Sequence, residues 1–462
     1  MRKKCLILIL FYIVGATGWS PLYGGDAPQF VKRRVELSNG LVVIAVEKHK
    51  LPMVHCEILI KAGSFHDPEE KAGLANLTAN LLDKGTETRR ALEIAEEIDF
   101  MGARSSFHSG SMTTRGHITL LKKDMEKGLE LFSNIVLNPA FQEEEIERER
   151  KKVISAILRK KEDPDRTASE TFREMVFQGH PLHRPLEGYS ETVPKITRKD
   201  ILSFYENFYI PNNSILVIVG DLTLDELVNF SERYFGRWKK PASTKPRILG
   251  FPEVRPVQGK RVKIVDMDIS QSYLLAGHIG LKRNDPDYSA CRAMNYILGG
   301  GGFASRFYRE IRSQGGLAYS VYCYFTGGSL LPGTFESGFQ TKIETTSEAL
   351  SKMLNLIREI RTEHVSEKEL EDAKAYYEGS LARQGETYGQ VAGLILDGEY
   401  FGLPDQYWVK EIEEIKGLTR ERIREVAQKY LDTENLVIAI ATKKADLKLN
   451  VEGITPEMIE SP

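Results

Sequence analysis

A pattern runs through this 462-residue chain twice, so the fold has to be two copies of one unit rather than one large core. The first copy closes with "ITRKDILSFYENFYIPNNSILVIVGDLTLDEL" and the second with "LTRERIREVAQKYLDTENLVIAIATKKADL". Each runs Thr-Arg, amphipathic helix, Tyr, short polar loop, apolar strand and polar turn. Upstream, "FQEEEIERERKKVISAILRKKED" matches "VSEKELEDAKAYYEGSLARQGE", two long helices with acidic starts. Further upstream, "DPEEKAGLANLTANLLDKG" matches "DPDYSACRAMNYILGGGG", each a helix entered after Asp-Pro.

Each copy also opens with strand-like alternation: "VELSNGLVVIAVEK" and "VHCEILIKAGS" in the first, "VKIVDMD" and "SYLLAGHIGL" in the second. The order strands, helices, strand, helices, strand predicts an α+β fold of two homologous repeats, each a mainly antiparallel sheet packed with helices. The join falls in "KKPASTKPRILGFPEVRPVQGK", rich in Pro and charge as linkers are. One domain is therefore expected at 29–239, a linker at 240–259 and a second domain at 260–450. Twin domains on a linker can close around a ligand.

Formal charge is -2, from 63 basic and 65 acidic residues, which gives no overall attraction to nucleic acid. The N-terminus, "MRKKCLILILFYIVGATGWS", has a basic start, an apolar run and then small residues. That pattern predicts a secretory signal peptide over 1–25, cleaved after Gly18 or around Gly24-Gly25. Without it three cysteines remain, Cys56, Cys291 and Cys323; they cannot complete a disulfide framework and their spacing suits no zinc cluster. They are expected to be buried thiols, and export without disulfides fits a bacterial periplasm. No second segment reaches membrane-spanning length.

The stretch "AGLANLTANLLDKGT" predicts a helix with Asn76, Ala79 and Asn80 at i, i+3 and i+4 on one face. Leu74, Leu77 and Leu81 form a separate apolar stripe for a core. Three positions so placed can carry a metal and a base. Here they carry two amides and a methyl.

Across nearly the whole chain beyond the signal segment, this pattern resembles the pitrilysin/insulysin peptidase family, whose smaller members include the mitochondrial processing peptidase. Its first repeat carries an H-x-x-E-H helix followed by L-x-x-G-T: two histidines bind Zn²⁺, the Glu between them activates a water, and a Glu on a later helix completes the site. Aligned on "GLA…LLDKGT", the first His falls on Asn76, the Glu on Ala79 and the second His on Asn80. Counting back from Asp163-Pro164, the distal ligand falls on Ala156; Glu149 resembles a supporting family Glu that does not replace it. All four roles are vacant, since an amide oxygen is a weak zinc donor and Ala offers neither ligand nor base. His180 and His183 form an H-x-x-H, but prolines beside both oppose a helical pairing, and the remaining histidines are scattered. No metal is expected on this chain.

The second repeat holds "GGGGFASRFYREIRSQGGLAYSVYCYF". It reads as a helix from about Phe303 to Gln314, a stop at Gly315-Gly316 and a strand from Leu317 to Phe325. The glycine run is no phosphate loop, because no Lys-Ser/Thr follows and a helix precedes it. Taken alone, Arg312 is a cation well placed at a helix C-terminus, and Tyr319 is a strand aromatic. The whole motif, however, resembles the family's second active-site element, an Arg and a Tyr seven residues apart. By that resemblance Arg312 holds a substrate carbonyl and Tyr319 donates to the tetrahedral oxyanion.

Some small family members are heterodimers in which one subunit brings zinc and the other the Arg-Tyr pair. The resemblance thus implies half of a clamshell chamber: a subunit that binds no cofactor, acts on peptides, and lends Arg312 and Tyr319 in trans to a homologous zinc-bearing partner. The alternatives are a structural or scaffolding homologue, and a peptide-binding module without catalysis.

Overall fold

The computed structural model describes residues 29–239, 252–326, 328 and 330–459. The export segment expected at 1–25 and residues 240–251 of the expected linker lie outside them. The first half runs β1 (Val31–Glu36), β2 (Val42–Glu47), β3 (Met53–Ile60), α1 (Leu74–Leu81), α2 (Ala91–Phe100), β4 (Arg104–Ser109), β5 (Thr114–Leu121), α3 (Met125–Leu137), α4 (Glu143–Lys161), α5 (Pro164–Val176), α6 (Arg198–Phe208), β6 (Ser214–Gly220) and α7 (Leu224–Phe235). The second runs β7 (Arg261–Asp266), β8 (Gln271–Ile279), α8 (Tyr288–Asn295), β9 (Ala318–Phe325), β10 (Thr334–Lys342), α9 (Thr346–Thr362), α10 (Glu367–Leu381), α11 (Tyr388–Phe401), α12 (Tyr407–Lys416), α13 (Arg420–Tyr430) and β11 (Val437–Thr442).

The repeat read from the sequence is a repeat of topology. One sheet has the order β1-β2-β6-β3-β5-β4 and the other β7-β11-β8-β10-β9. Without β1 the two orders are the same, and in each the last strand of the copy pairs parallel with the first (β2–β6, β7–β11) while the other pairs are antiparallel. The single strand expected between the helices is a hairpin in both halves, β4–β5 and β9–β10. The fold is α+β, two homologous mainly antiparallel sheets dressed with helices.

The shared Thr-Arg motif is a capping signal. Thr197 Oγ1 accepts from the amide of Asp200 at 3.3 Å to start α6, and Thr419 Oγ1 from Arg422 at 3.2 Å to start α13. Asp163 does the same for α5, with Pro164 as the first helical residue.

The central strands explain how the halves are joined. β6 ("SILVIVG") and β11 ("VIAIAT") are buried along their whole length, as strands covered on both faces must be. In β6, Leu216 and Ile218 face the core of their own half, whereas Ile215, Val217 and Val219 pack in the core that holds Val391, Ala392 and Ile395 of α11. In β11, Ile438 and Ile440 face their own helices, whereas Val437, Ala439 and Ala441 pack with Ala168, Phe172 and Met175 of α5. Each half therefore sends one helix onto the other's sheet: α5 lies on β8 and β11, and α11 on β3 and β6.

Polar ties fix this exchange. Arg34 on β1 pairs with Glu399 on α11 at 2.9 Å, and Arg115 on β5 with Asp397 at 2.5 Å. The Tyr388 hydroxyl donates to the carbonyls of Lys48 and Leu51, each at 2.7 Å. The two sheets are thus held by a reciprocal helix exchange, with more than a linker between them. Cys56, Cys291 and Cys323 are free and buried, and burial pushes all three thiols up. Among the described residues no helix is long and apolar enough to cross a membrane.

Candidate functional site

Helix α1 is set in place by Asp67. Its carboxylate accepts from the amides of Gly73 and Ala75, both at 2.9 Å, and Arg184 donates to its backbone carbonyl at 2.8 Å. Burial pushes the Asp67 carboxyl up to about 7, against the opposing pull of those two amides. Gly73, at φ +99, lets the chain enter the helix where a Cβ would meet the Glu187 carbonyl oxygen at 2.5 Å. The helix is placed as firmly as an active-site helix needs to be.

Its side chains are another matter. Asn76 and Asn80 are half-buried on one face, as their spacing requires, and Asn80 Nδ2 donates to Asn76 Oδ1 at 3.3 Å. Ala79 is wholly buried. Ala156, also half-buried, sits on α4, which packs against α1. Glu149, two turns before it, pairs with Lys152 at 3.1 Å. The structure thus brings the four positions onto two packed helices, and their donor set is two neutral amides and two methyls. That set does not fit Zn²⁺, which binds imidazole, thiolate or carboxylate. Among the described residues no group of three His, Cys, Asp or Glu side chains is placed to hold a metal. His180 and His183 do not share a helix face: they flank a tight turn in which His180 Nδ1 accepts from the Leu182 amide at 3.2 Å.

The glycine run of the second half is a packing device. A Cβ on Gly299 would lie 2.7 Å from Cys323 Sγ and 2.8 Å from the Cys323 nitrogen, so glycine lets the chain close on the edge of β9. The run is the end of a wide, π-helical turn, Tyr296–Gly300, that continues α8. The helix expected from Phe303 to Gln314 is instead a short turn, Gly302–Ala304, followed after Ser305 by a helical segment that widens into a second π-helical turn, Tyr308–Ser313. Widened turns shift the register by one residue and recur at functional sites. This one carries Arg312.

The stop falls where the glycines placed it. Leu317 N–H donates to the Ile311 carbonyl at 2.9 Å and Gly316 N–H to that of Arg312 at 3.1 Å, with Gly316 at φ +59. Each bond spans one residue more than in a Schellman stop, six and four instead of five and three, so this is a glycine-terminated stop widened by the π-helical turn that precedes it. It reverses the chain into β9 and brings Tyr319 beside Arg312. The guanidinium carbon lies 5.1 Å from the Tyr319 ring centre and 4.6 Å from that of Tyr308, so Arg312 is held between two aromatic faces. Among the described residues Arg312 has no ion pair, and Tyr319 is 76% exposed. A cation held by rings rather than by a carboxylate keeps its donors for a ligand, and the phenol beside it faces solvent.

Two residues that hold this element escaped the sequence reading. Tyr308 is one; it stands in the quoted motif four residues before Arg312, a spacing that puts neighbours on one helical face. Glu369 is the other. It accepts from Arg306 through both oxygens, at 2.8 and 2.9 Å, and from the Ser366 amide at 2.8 Å. Against burial, which pushes it up, the Arg306 bonds and the Ser366 amide and hydroxyl, the latter at 3.0 Å, hold the Glu369 carboxyl at about 2. The visible signal was "SEKE", a capping box at the start of α10.

Family models for insulinase (peptidase family M16) and for the peptidase M16 inactive domain match residues 42–190 and 195–377. An uncharacterized zinc protease of Rickettsia felis is 29% identical over 350 residues, covering 75% of this chain and 82% of the relative. The non-peptidase homolog YmxG of Helicobacter pylori is 24% identical over 406 residues, covering 87% and 92%. Among solved structures, a peptidase M16 inactive domain from Pseudomonas fluorescens superposes with a TM-score of 0.85 at 25% identity, over 90% of this chain and 99% of that one.

Proposed function

The chain belongs to the insulinase-like peptidase M16 family, as an inactive-type homologue, and from that premise we propose that it is the non-zinc subunit of a two-chain peptidase. It lends Arg312 and Tyr319 to a homologous subunit that bears the zinc site, and the two chains enclose a shared chamber. Residues 29–239 form the degenerate peptidase-like domain and 260–450 the domain that contributes to catalysis. The chain itself carries no zinc.

One contrast supports this reading. The first half keeps a well-anchored α1 with no usable ligand on it, while the second keeps Arg312 free of any ion pair beside an exposed Tyr319. A scaffold needs neither an unpaired cation nor a presented phenol. In the composite site the Arg312 fork donates to a substrate backbone carbonyl and holds the peptide in line. The Tyr319 hydroxyl donates to the oxygen that becomes negative as the carbonyl turns tetrahedral. Neither residue needs to touch the metal. Substrates are peptides or unfolded segments read through their backbone as an added strand. The basic and apolar N-terminal segment supports export to a periplasm.

The deciding experiment is reconstitution with the partner that co-purifies from the native host, using a quenched fluorescent peptide mixture. Each chain alone should be inactive and the mixture active. Cleavage by this chain alone, abolished by a chelator, would overturn the proposal.

A further inference from the structure

A cavity of about 330 Å³ lies where the exchanged helices meet, and both halves build its wall. α5 contributes Phe172 and Arg173, the β4–β5 loop Ser111 and Met112, and β10 Glu336. Arg173 is half-buried. Its Nε donates to the Leu182 carbonyl at 2.8 Å and its Nη2 to Ser111 Oγ at 2.9 Å. Among the described residues no carboxylate lies within ion-pair distance of it. The guanidinium stays charged whatever its surroundings, so one edge of a partly desolvated cation is left facing the cavity.

Glu336 stands on the other half's wall in the same condition. It takes a hydrogen bond from Thr334 Oγ1 at 2.5 Å, and no lysine, arginine or histidine among the described residues pairs with it. Burial pushes its carboxyl up, with Thr334, Tyr324 and the more distant Arg173 pulling the other way. The third charged group on the wall, Arg115, is already committed to Asp397 at 2.5 Å. Two opposite charges therefore face one cavity from two halves of the fold without meeting. Phe172, Met112, Leu182 and Leu331, all buried, supply an apolar side.

We propose that this cavity binds a free α-amino acid or dipeptide with an apolar side chain, its carboxylate on Arg173 and its ammonium group on Glu336. A simple anion would satisfy Arg173 and leave Glu336 unpaired, and a simple cation would do the reverse. A zwitterion answers both across one small molecule. The volume sits at the low end of ligand cavities, about 300–1,000 Å³, which suits a one- or two-residue ligand and excludes a longer peptide. The site needs neither zinc nor the partner subunit, so it stands or falls apart from the composite-peptidase reading.

The test is calorimetric titration of the full chain alone with L-leucine and leucyl-leucine, and with N-acetyl-leucine and leucinamide as controls. Leucine or the dipeptide should bind with a Kd of about 1 mM or tighter, and either blocked form at least about tenfold more weakly. Glu336→Gln, checked for an unchanged far-ultraviolet spectrum, should weaken leucine about tenfold and bring it level with N-acetyl-leucine. Arg173 is left intact because it also holds Ser111 and Leu182. The proposal is overturned if neither leucine nor the dipeptide gives heat, or if the blocked forms bind as well as the free ones.

Discussion

Asn80 Nδ2 lies 3.3 Å from Asn76 Oδ1, so the two side chains that share a face of α1 satisfy one another. In a zinc-binding relative of this architecture those positions would converge on an ion. Here they converge on each other, above a wholly buried Ala79. The platform is intact and its chemistry is closed.

Metal analysis of the purified chain should accordingly find no stoichiometric zinc. The triple substitution Asn76→His, Asn80→His and Ala156→Glu rebuilds two imidazoles and a carboxylate on the packed pair α1 and α4, and should gain about one equivalent. Ala79 is best left unchanged in that experiment, because a glutamate there would bury a charge. One equivalent in the native chain would mean that a site other than α1 binds metal.

Tyr319→Phe removes a hydroxyl from a 76% exposed ring and should leave the melting temperature unchanged. In the reconstituted pair it should lower kcat about tenfold or more with little change in KM, as loss of an oxyanion donor does. An unchanged kcat would take Tyr319 out of the mechanism.

The Arg306–Glu369 pair makes a pH prediction. Its carboxyl sits at about 2 in the fold, below the 4.5 of an ordinary glutamate, so the folded state binds its proton more weakly than the unfolded state does. The stability it supplies is complete above about pH 4.5 and is lost as pH falls through 2; at about 1.4 kcal/mol per pH unit it is about 3 kcal/mol. Urea unfolding at pH 7 should show Glu369→Gln less stable by about that amount. The gap should close as the two proteins are compared at pH 4, 3 and 2. A gap that persists at pH 2 would assign the loss to packing instead.

Much of this was legible in the sequence for definable reasons. The repeat, the α+β class, the Thr-Arg helix starts and the stop at Gly316 rest on local chemistry, which capping residues and φ-permissive glycines write directly into the chain. The π-helical turns at Tyr296–Gly300 and Tyr308–Ser313 were not legible, because a widened turn leaves the apolar spacing close to that of an α-helix. Nor was the partner of α5. The spacing of Ala168, Phe172 and Met175 says that one face is buried; only three-dimensional structure says that it is buried on the other half's sheet. The opposed charges of Arg173 and Glu336, 163 positions apart, had no sequence signal at all.

That exchange carries the last prediction. Phe172 is 1% exposed, and its ring packs among Leu275, Val437 and Ala439 of the second half. Phe172→Ala should therefore cost about 3–5 kcal/mol, as large-to-small core changes do, and the loss should be felt by both halves at once. Calorimetry of the full chain should show one cooperative transition that shifts as a whole, where two independent domains would show two with only the first moved. A fragment ending at 239 makes the same point more harshly. It keeps α5 with Phe172 and Met175 uncovered, and it strips α11 from the outer face of β6. Such a fragment should bind a hydrophobic dye and melt without a sharp transition. If it instead unfolds cooperatively with native-like near-ultraviolet signal, the exchanged helices do not bind the two halves into one folding unit.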